Sequence, residues 1–276
     1  MDLKRTKIVA TLGPASSSVE VIKEMYEKGL NVCRLNFSHG DHKIHEANIK
    51  SVKQVNDDLN SNIAILADLQ GPKLRVGAME NEGCEIKTGN KIIFTNKECL
   101  GTSEKVFMTY RNFARDVKPG ELILIDDGKL AVKVESSNGD DEVIAIVQHG
   151  GLLKSKKGVN LPNTKISLPS LTEKDRKDLD YILKQDIEWI ALSFVRSAKD
   201  IIELRELIKA ANRNIKIIAK IEKPEAIDDI DAIVNETDAI MVARGDLGIE
   251  VPYQDVPWLQ KMMVKKCLKA SKPIIV

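Results

Sequence analysis

Residues 7–40 read KIVATLGPASSSVEVIKEMYEKGLNVCRLNFSHG, and the order of patterns inside them decides the fold. Lys7 to Leu12 is a short apolar run of the kind that forms a buried strand. Ser17-x-x-Glu20 then has the form of a capping box, in which two side chains satisfy backbone N–H groups at a helix start. Behind it Ile22, Met25, Tyr26 and Leu30 fall on one helical face, with Gly29 near the helix end. A second strand is expected from Asn31 to Ser38, a polar helix after it, and a third strand from Ile63 to Gln70. Strand, helix, strand, helix at this spacing predicts a parallel sheet with its helices outside.

Beyond the third strand the texture changes. From about Val76 to Val159 helical periodicity disappears, and β-rich runs take over at Lys91–Thr95, Glu121–Ile125, Leu130–Val134 and Val143–Val147. Asp127-Gly128 and Asn138-Gly139 sit between such runs as hairpin turns. The alternation then resumes. A helix capped at Thr172 leads to a strand over Trp189–Val195, and a helix opening at Ser197-x-x-Asp200 to a strand over Ile215–Ile221. A helix through Ile227, Ile230 and Ile233 follows, then a strand over Ala239–Ala243 and a helix with Pro257 in its first turn. Pro273 to Val276 opens one more strand.

The expected architecture is α/β, a (β/α)8 TIM-type barrel over residues 1–72 and 161–276, interrupted by a small all-β barrel lid over 73–160. Six parallel strands and part of a seventh are read where eight close a barrel, so the fold is expected to be incomplete at Val276. Such a piece is expected to be aggregation-prone and inactive by itself.

Composition narrows the function classes. With 43% apolar and 30% charged residues the chain reads as an ordinary soluble globular protein. Lys and Arg number 42 against 41 Asp and Glu, so no global field favours nucleic acid or an anionic membrane, and an anionic ligand must be held by a local cluster of cations. Cys33, Cys84, Cys99 and Cys267 have no metal-ligand spacing and read as reduced thiols of a cytosolic protein. Met1 to Arg5 carries no signal-peptide apolar region, and no apolar stretch is long enough to cross a bilayer.

Four strand ends carry the chemistry. Arg34, Asn36 and Ser38 alternate with Cys33, Leu35 and Phe37, so the polar trio shares one face. They line either a ligand site or a solvated edge, and flanking helical patterns favour the first. Asp68 closes the third strand before Gly71-Pro72-Lys73-Leu74-Arg75, where a carboxylate either caps a turn or faces a ligand. Lys220 and Glu222 are two apart in Ile217–Lys223, either a structural ion pair or a cation beside a metal-type carboxylate. Asp246 follows the next strand within Arg244-Gly245-Asp246-Leu247-Gly248, close enough in a parallel sheet to share one hard cation such as Mg²⁺ with Glu222. All these groups fall at strand C-termini, where barrel enzymes place their sites. His39, His42 and His45 recur every three residues without a partner to complete a zinc site, and a solvated helix start is expected for the last two. Gly150 to Gly158, with Lys154, Lys156 and Lys157, reads as a mobile basic linker or a phosphate contact.

The stretches TKIVATLGPAS (6–16), CRLNFSHG (33–40), KKGVNLP (156–162), IAKIE (218–222) and MVARGDLGIE (241–250) resemble pyruvate kinases along nearly the whole chain. The resemblance implies a glycolytic phosphotransferase that moves the phosphoryl group of phosphoenolpyruvate to ADP, with a β-barrel lid inserted after strand three. It implies Lys220 and Arg34 as catalytic residues, with Arg34, Lys220, Ser193, Gly245 and Asp246 toward phosphoenolpyruvate. Arg34, His39, Arg75 and Lys157 are implied toward the nucleotide, and Glu222 and Asp246 as ligands of Mg²⁺ or Mn²⁺. Asn36, Ser38, Asp68 and the Leu69 carbonyl match the family's monovalent-cation site. Where potassium-dependent members carry Glu after the Gly-Pro pair this chain has Lys73, so potassium is expected not to be required. The family's regulatory C-terminal domain is expected to be absent from this chain, and the resemblance implies a homotetramer for the complete protein. Two other readings are an Mg²⁺-dependent enolate-forming lyase or aldolase barrel, and a non-catalytic metabolite-binding fragment.

Overall fold

The computed structural model describes residues 5–276. Seven strands form one sheet: β1 (Ile8–Thr11), β2 (Leu30–Asn36), β3 (Ala64–Asp68), β4 (Trp189–Leu192), β5 (Lys216–Ile221), β6 (Ala239–Val242) and β7 (Ile274–Ile275). Every neighbouring pair is parallel, and spatial order follows chain order. A doubly wound sheet would reverse its order at a switch point; this one winds in a single direction, as TIM-type barrels do. Around it lie α1 (Val19–Glu27), α2 (His42–Leu59), α3 (Glu173–Ile182), α4 (Ala198–Ala210), α5 (Pro224–Asp228), α6 (Ile230–Glu236), α7 (Arg244–Glu250) and α8 (Val256–Lys269).

The period of two along each strand separates two cores. One face, including Cys33, Leu35, Ile65, Ile190, Ile217 and Ile240, packs under the helices against residues such as Ile22, Val52, Leu179, Leu204 and Met263. The other face gathers Leu66, Ala191, Ile218 and Ala239, with Val9, Val32 and Ile275 packed on them. Side chains from all seven strands meet there in one cluster, which requires the sheet to curl inward.

Between β3 and β4 the chain builds a second seven-stranded sheet from residues 74–160, together with the two-stranded ribbon Gly83–Ile86 and Gly151–Lys154. Its own core holds Val76, Phe94, Val106, Met108, Ile123 and Val143. The first expected hairpin turns through left-handed Asp126, Asp127 and Gly128. At the second, the Asn138 side-chain oxygen accepts the N–H groups of Asp140, Asp141 and Glu142 at 3.0 Å each.

Several local expectations are corrected. The cap of α1 is Ser18, not Ser17: its hydroxyl accepts from Val21 N–H, which places Glu20 in the second helical position, too early for a capping box. β2 stops at Asn36: Phe37 N–H makes a last bond to the Asp68 carbonyl of β3, and then Ser38 N–H bonds back to the Asn36 side chain at 3.1 Å and His39 N–H to the Asn36 carbonyl. Ser38 therefore lies beyond the strand. The helix through Ile227 and Ile233 is two helices, parted at Asp229, whose carboxylate accepts Ala198 N–H at the start of α4. β4 ends at Leu192, before Phe194, whose φ is +55°. The strand expected to Ala243 ends at Val242, and Asp246 stands not at a strand end but on the short helix Arg244–Glu250. Residues 150–158 form no linker: Gly151–Lys154 and Gly158–Asn160 are paired strands.

One glycine is required by its surroundings. Gly71 has φ +68°, and a Cβ there would meet the Phe194 ring at 2.8 Å and the Ser193 carbonyl at 3.1 Å. Its N–H is held by buried Asp175, the residue that also completes the capping box of α3 with Thr172. Gly71→Ala is expected to lower stability by about 1–3 kcal/mol, through left-handed strain and the displaced ring. The check is a lower urea midpoint with an unchanged m-value.

Candidate active site

The C-terminal ends of β3, β4 and β5 converge on the ammonium of Lys220. It donates to Ser193 Oγ at 2.8 Å and lies 3.0 Å from Glu222 Oε1 and 3.3 Å from Asp68 Oδ1. Ser193 donates its own proton to the Leu69 carbonyl at 2.7 Å, which fixes the hydroxyl so that its lone pair faces the lysine. Asp68 is clamped from the other side: Arg34 Nε donates to Oδ2 at 2.6 Å and Nη2 lies 2.5 Å from it. The remaining arm of Arg34 donates to Thr11 Oγ1 at 2.8 Å. Asn36 and Asp68 are register partners on β2 and β3, which sets these groups side by side.

Burial alone would pull the Lys220 ammonium down, but the Glu222 and Asp68 carboxylates outweigh it, so its pKa is raised and it stays charged. Glu222 is only 1% exposed, and burial pushes its carboxyl up; Lys220 opposes this and the charge of Asp246 adds to it. Its second oxygen accepts Phe194 N–H at 2.8 Å. The left-handed turn at Phe194 aims that N–H at the carboxylate, a contact that nothing in the sequence announces. The Asp246 carboxylate, on α7, has no hydrogen-bond or ion-pair partner among the described residues.

A buried carboxylate with a raised pKa beside a second, unpaired one suits a hard dication, whose binding would relieve both. Among the described residues no group of three or more His, Cys, Asp or Glu is placed to hold a metal alone. Glu222 and Asp246 would therefore hold Mg²⁺ together with water or substrate oxygens.

The other expected residues fall into separate places. Arg75 and Lys157 lie together on the inserted sheet, where Arg75 pairs in register with Gly158 and donates to the Lys156 carbonyl, and Lys157 pairs with Asp126 at 2.8 Å. His39 is exposed on the turn after β2, and Gly245 stands in open space on α7. Exposed Lys73 does not join Asn36, Ser38 or Asp68. It lines the cleft between the two sheets with Asp127, Asn160, Lys223, Asp246 and Glu250.

The expected solvated helix start holds for His42, exposed at the first position of α2, but not for His45, which is buried. His42 pairs with Asp178 at 2.8 Å and stacks on Tyr181, while buried His45 stacks on Phe37 at 4.0 Å. Burial holds the His45 pKa below its usual 6.5, against the His39 carbonyl and Asp178, which favour the cation, and with His42 and Lys174, which oppose it. The unfolded chain then binds this proton more readily than the native one, so the contribution is complete above pH 6.5 and is lost as pH falls through the lowered native value. His45→Leu is expected to flatten the fall in stability below that pH, read from denaturation midpoints across the acid range.

The family model described as pyruvate kinase, barrel domain, matches residues 3–276. The chain is 46% identical over 274 residues to a pyruvate kinase of Geobacillus stearothermophilus, covering 99% of this chain and 47% of that protein. It is 46% identical to one of Corynebacterium efficiens and 42% identical to one of Clostridium perfringens, in each case over 99% of this chain and 57% and 58% of theirs. The chain thus spans about half the length of the curated relatives it matches. A singly wound sheet with its cations and carboxylates at the strand C-termini, an inserted β-sheet after β3, and a match along nearly every residue place this chain in the pyruvate kinase family.

Proposed function

We propose that this chain supplies the catalytic residues of a phosphotransferase that moves the phosphoryl group of phosphoenolpyruvate to ADP, giving ATP and pyruvate in glycolysis, and hence in the cytoplasm. The observation that carries the reading is Lys220, a charged lysine held by Ser193, Asp68 and Glu222 at the open end of the parallel sheet. Phosphoryl transfer needs positioning and charge neutralisation more than covalent chemistry. Lys220 carries the positive charge that offsets an enolate oxygen as the phosphoryl group leaves. Arg34, held on the opposite side of Asp68, is the cation for the phosphoryl oxygens. Mg²⁺ or Mn²⁺, when bound by Glu222 and Asp246, would neutralise charge on the phosphate and the substrate carboxylate. Residues 73–160 act as the lid, bringing Arg75 and Lys157 over the nucleotide.

The test is ATP formation from phosphoenolpyruvate and ADP by the full-length protein, with pyruvate followed by coupled nicotinamide oxidation. Aldol or lyase turnover without ATP would favour the enolate-forming barrel reading, and substrate binding without turnover the metabolite-binding one. Size-exclusion chromatography of the same protein tests the expected homotetramer.

Potassium is expected not to be required. Lys73 places an ammonium with no ion-pair partner among the described residues on the wall of the cleft. Asp68, the charged member of the monovalent-cation set, is already neutralised by Arg34 and Lys220. A diffusible cation then has little charge left to offset. Turnover in tetramethylammonium buffer at saturating Mg²⁺ is expected to rise less than about twofold on adding potassium. Strong activation of the unaltered enzyme would overturn this.

A further inference from the structure

A buried polar tie outside the Lys220 cluster joins the two sheets. Lys223 Nζ lies 2.8 Å from Glu250 Oε2, and both side chains are almost fully buried. The other oxygen of Glu250 accepts from Asn160 Nδ2 at 2.8 Å. The three residues come from places that matter to the cleft. Lys223 directly follows Glu222 at the end of β5. Glu250 is the last residue of α7, one helical turn after Asp246. Asn160 ends the strand Gly158–Asn160 of the inserted sheet, whose partner strand carries Arg75 and whose approach carries Lys157.

We propose that the Lys223–Glu250–Asn160 tie is a positioning element that sets the inserted sheet's cationic wall against the Glu222 and Asp246 carboxylates, and so fixes the affinity for the nucleoside diphosphate bound between them. Lys223 and Glu250 hold α7 to the end of β5. Asn160 is the bond that carries this geometry across the cleft to Arg75 and Lys157. Charge explains why Glu250 is the joint: a buried carboxylate has two oxygens to satisfy, and here one takes the ammonium and the other the amide. The substrate lying wholly on the parallel-sheet side needs no such bond, so its binding should be indifferent to it. This inference rests on the phosphotransferase reading above, and wild-type turnover in the same assay tests that reading separately.

The experiment uses the full-length enzyme and three variants. Asn160→Ala leaves the Lys223–Glu250 pair intact and is expected to raise KM for ADP about tenfold, the worth of one hydrogen bond to a charged group, with KM for phosphoenolpyruvate within about twofold and the thermal midpoint nearly unchanged. Asn160→Asp sets two carboxylates against each other and is expected to raise KM for ADP further. Adding Glu250→Gln to Asn160→Asp restores the link with donor and acceptor exchanged, since the glutamine amide donates to the carboxylate introduced on the inserted strand while its oxygen still accepts from Lys223. The double variant is expected to recover most of the lost ADP affinity. Hydrogen exchange without substrate gives a readout independent of turnover: amides of Leu74–Arg75 and Gly158–Asn160 should exchange faster in Asn160→Ala and return to the wild-type rate in the double variant. Equal rises in both KM values with a lowered thermal midpoint, or a double variant no better than Asn160→Asp, would overturn the proposal.

Discussion

Lys220→Met in the full-length enzyme is expected to lower kcat by about 10²-fold or more while KM for phosphoenolpyruvate changes little. Methionine keeps much of the length and apolar stem of lysine and removes the ammonium. What the ammonium touches decides the size of the effect. It is the one cation bonded to Ser193, Glu222 and Asp68 together among the described residues, at a buried point where solvent cannot replace its charge. The fold should survive, because Asp68 keeps Arg34 and Glu222 keeps the Phe194 N–H. A circular-dichroism spectrum and thermal midpoint close to wild type, beside the collapsed kcat, are the expected pair of results. Near-native turnover would remove Lys220 from the mechanism.

Glu222→Gln is expected to weaken the response to the divalent metal strongly. Glutamine fills the same volume and its one oxygen can still accept Phe194 N–H, but its amide nitrogen then faces the Lys220 ammonium, so the change deletes the charge together with the contact to Lys220. With Asp246 left as the only unpaired carboxylate of the pair, the concentration of Mg²⁺ for half-maximal activity is expected to rise by about 10²-fold, or roughly 2.7 kcal/mol, with kcat reduced at every attainable concentration. Because burial raises the Glu222 pKa above 4.5, protons compete for this carboxylate sooner than for an exposed one. Metal affinity of the wild type should therefore weaken as pH falls, beginning above the ordinary glutamate range. Mn²⁺ binding followed by electron paramagnetic resonance measures both effects without turnover. An unchanged binding curve in Glu222→Gln would show that the metal is held elsewhere.

The sequence displayed the parallel strands because each is a short apolar run with period two, and it displayed Lys220 and Glu222 because charges interrupt such a run. It also displayed the inserted sheet, where helical periodicity stops. Other features were hidden for identifiable reasons. α7 carries Gly245 and Gly248 within seven residues, and each glycine costs about 1 kcal/mol of helix propensity, so only packing of Leu247 and Glu250 makes it a helix. Phe194 is a left-handed residue with no glycine to mark it. Asn160, Lys223 and Glu250 are scattered along the chain and meet only through the topology. His45 looked like a surface residue because its helix is polar, yet the face it occupies is the one over Phe37. Lys73 sits beside the expected motif in sequence, but the turn at Gly71 carries it to the cleft wall.

The insertion also bears on how the polypeptide reaches this shape. β3 and β4 are neighbours in the sheet, with Leu66 opposite Trp189, although Ile65 and Glu188, which bond across the same join, are 123 positions apart. A join that distant is slow to find, since chain entropy must be lost before any contact repays it. The insertion shortens the search. Its first strand pairs with its last, Arg75 opposite Gly158, so once it condenses around Phe94 and its neighbours its two ends emerge side by side. The open loop then shrinks to about a third of its length, which lowers the closure cost by about 1 kcal/mol. If it condenses first, the insertion acts as a clasp, and slowing its formation is expected to slow the pairing of β3 with β4.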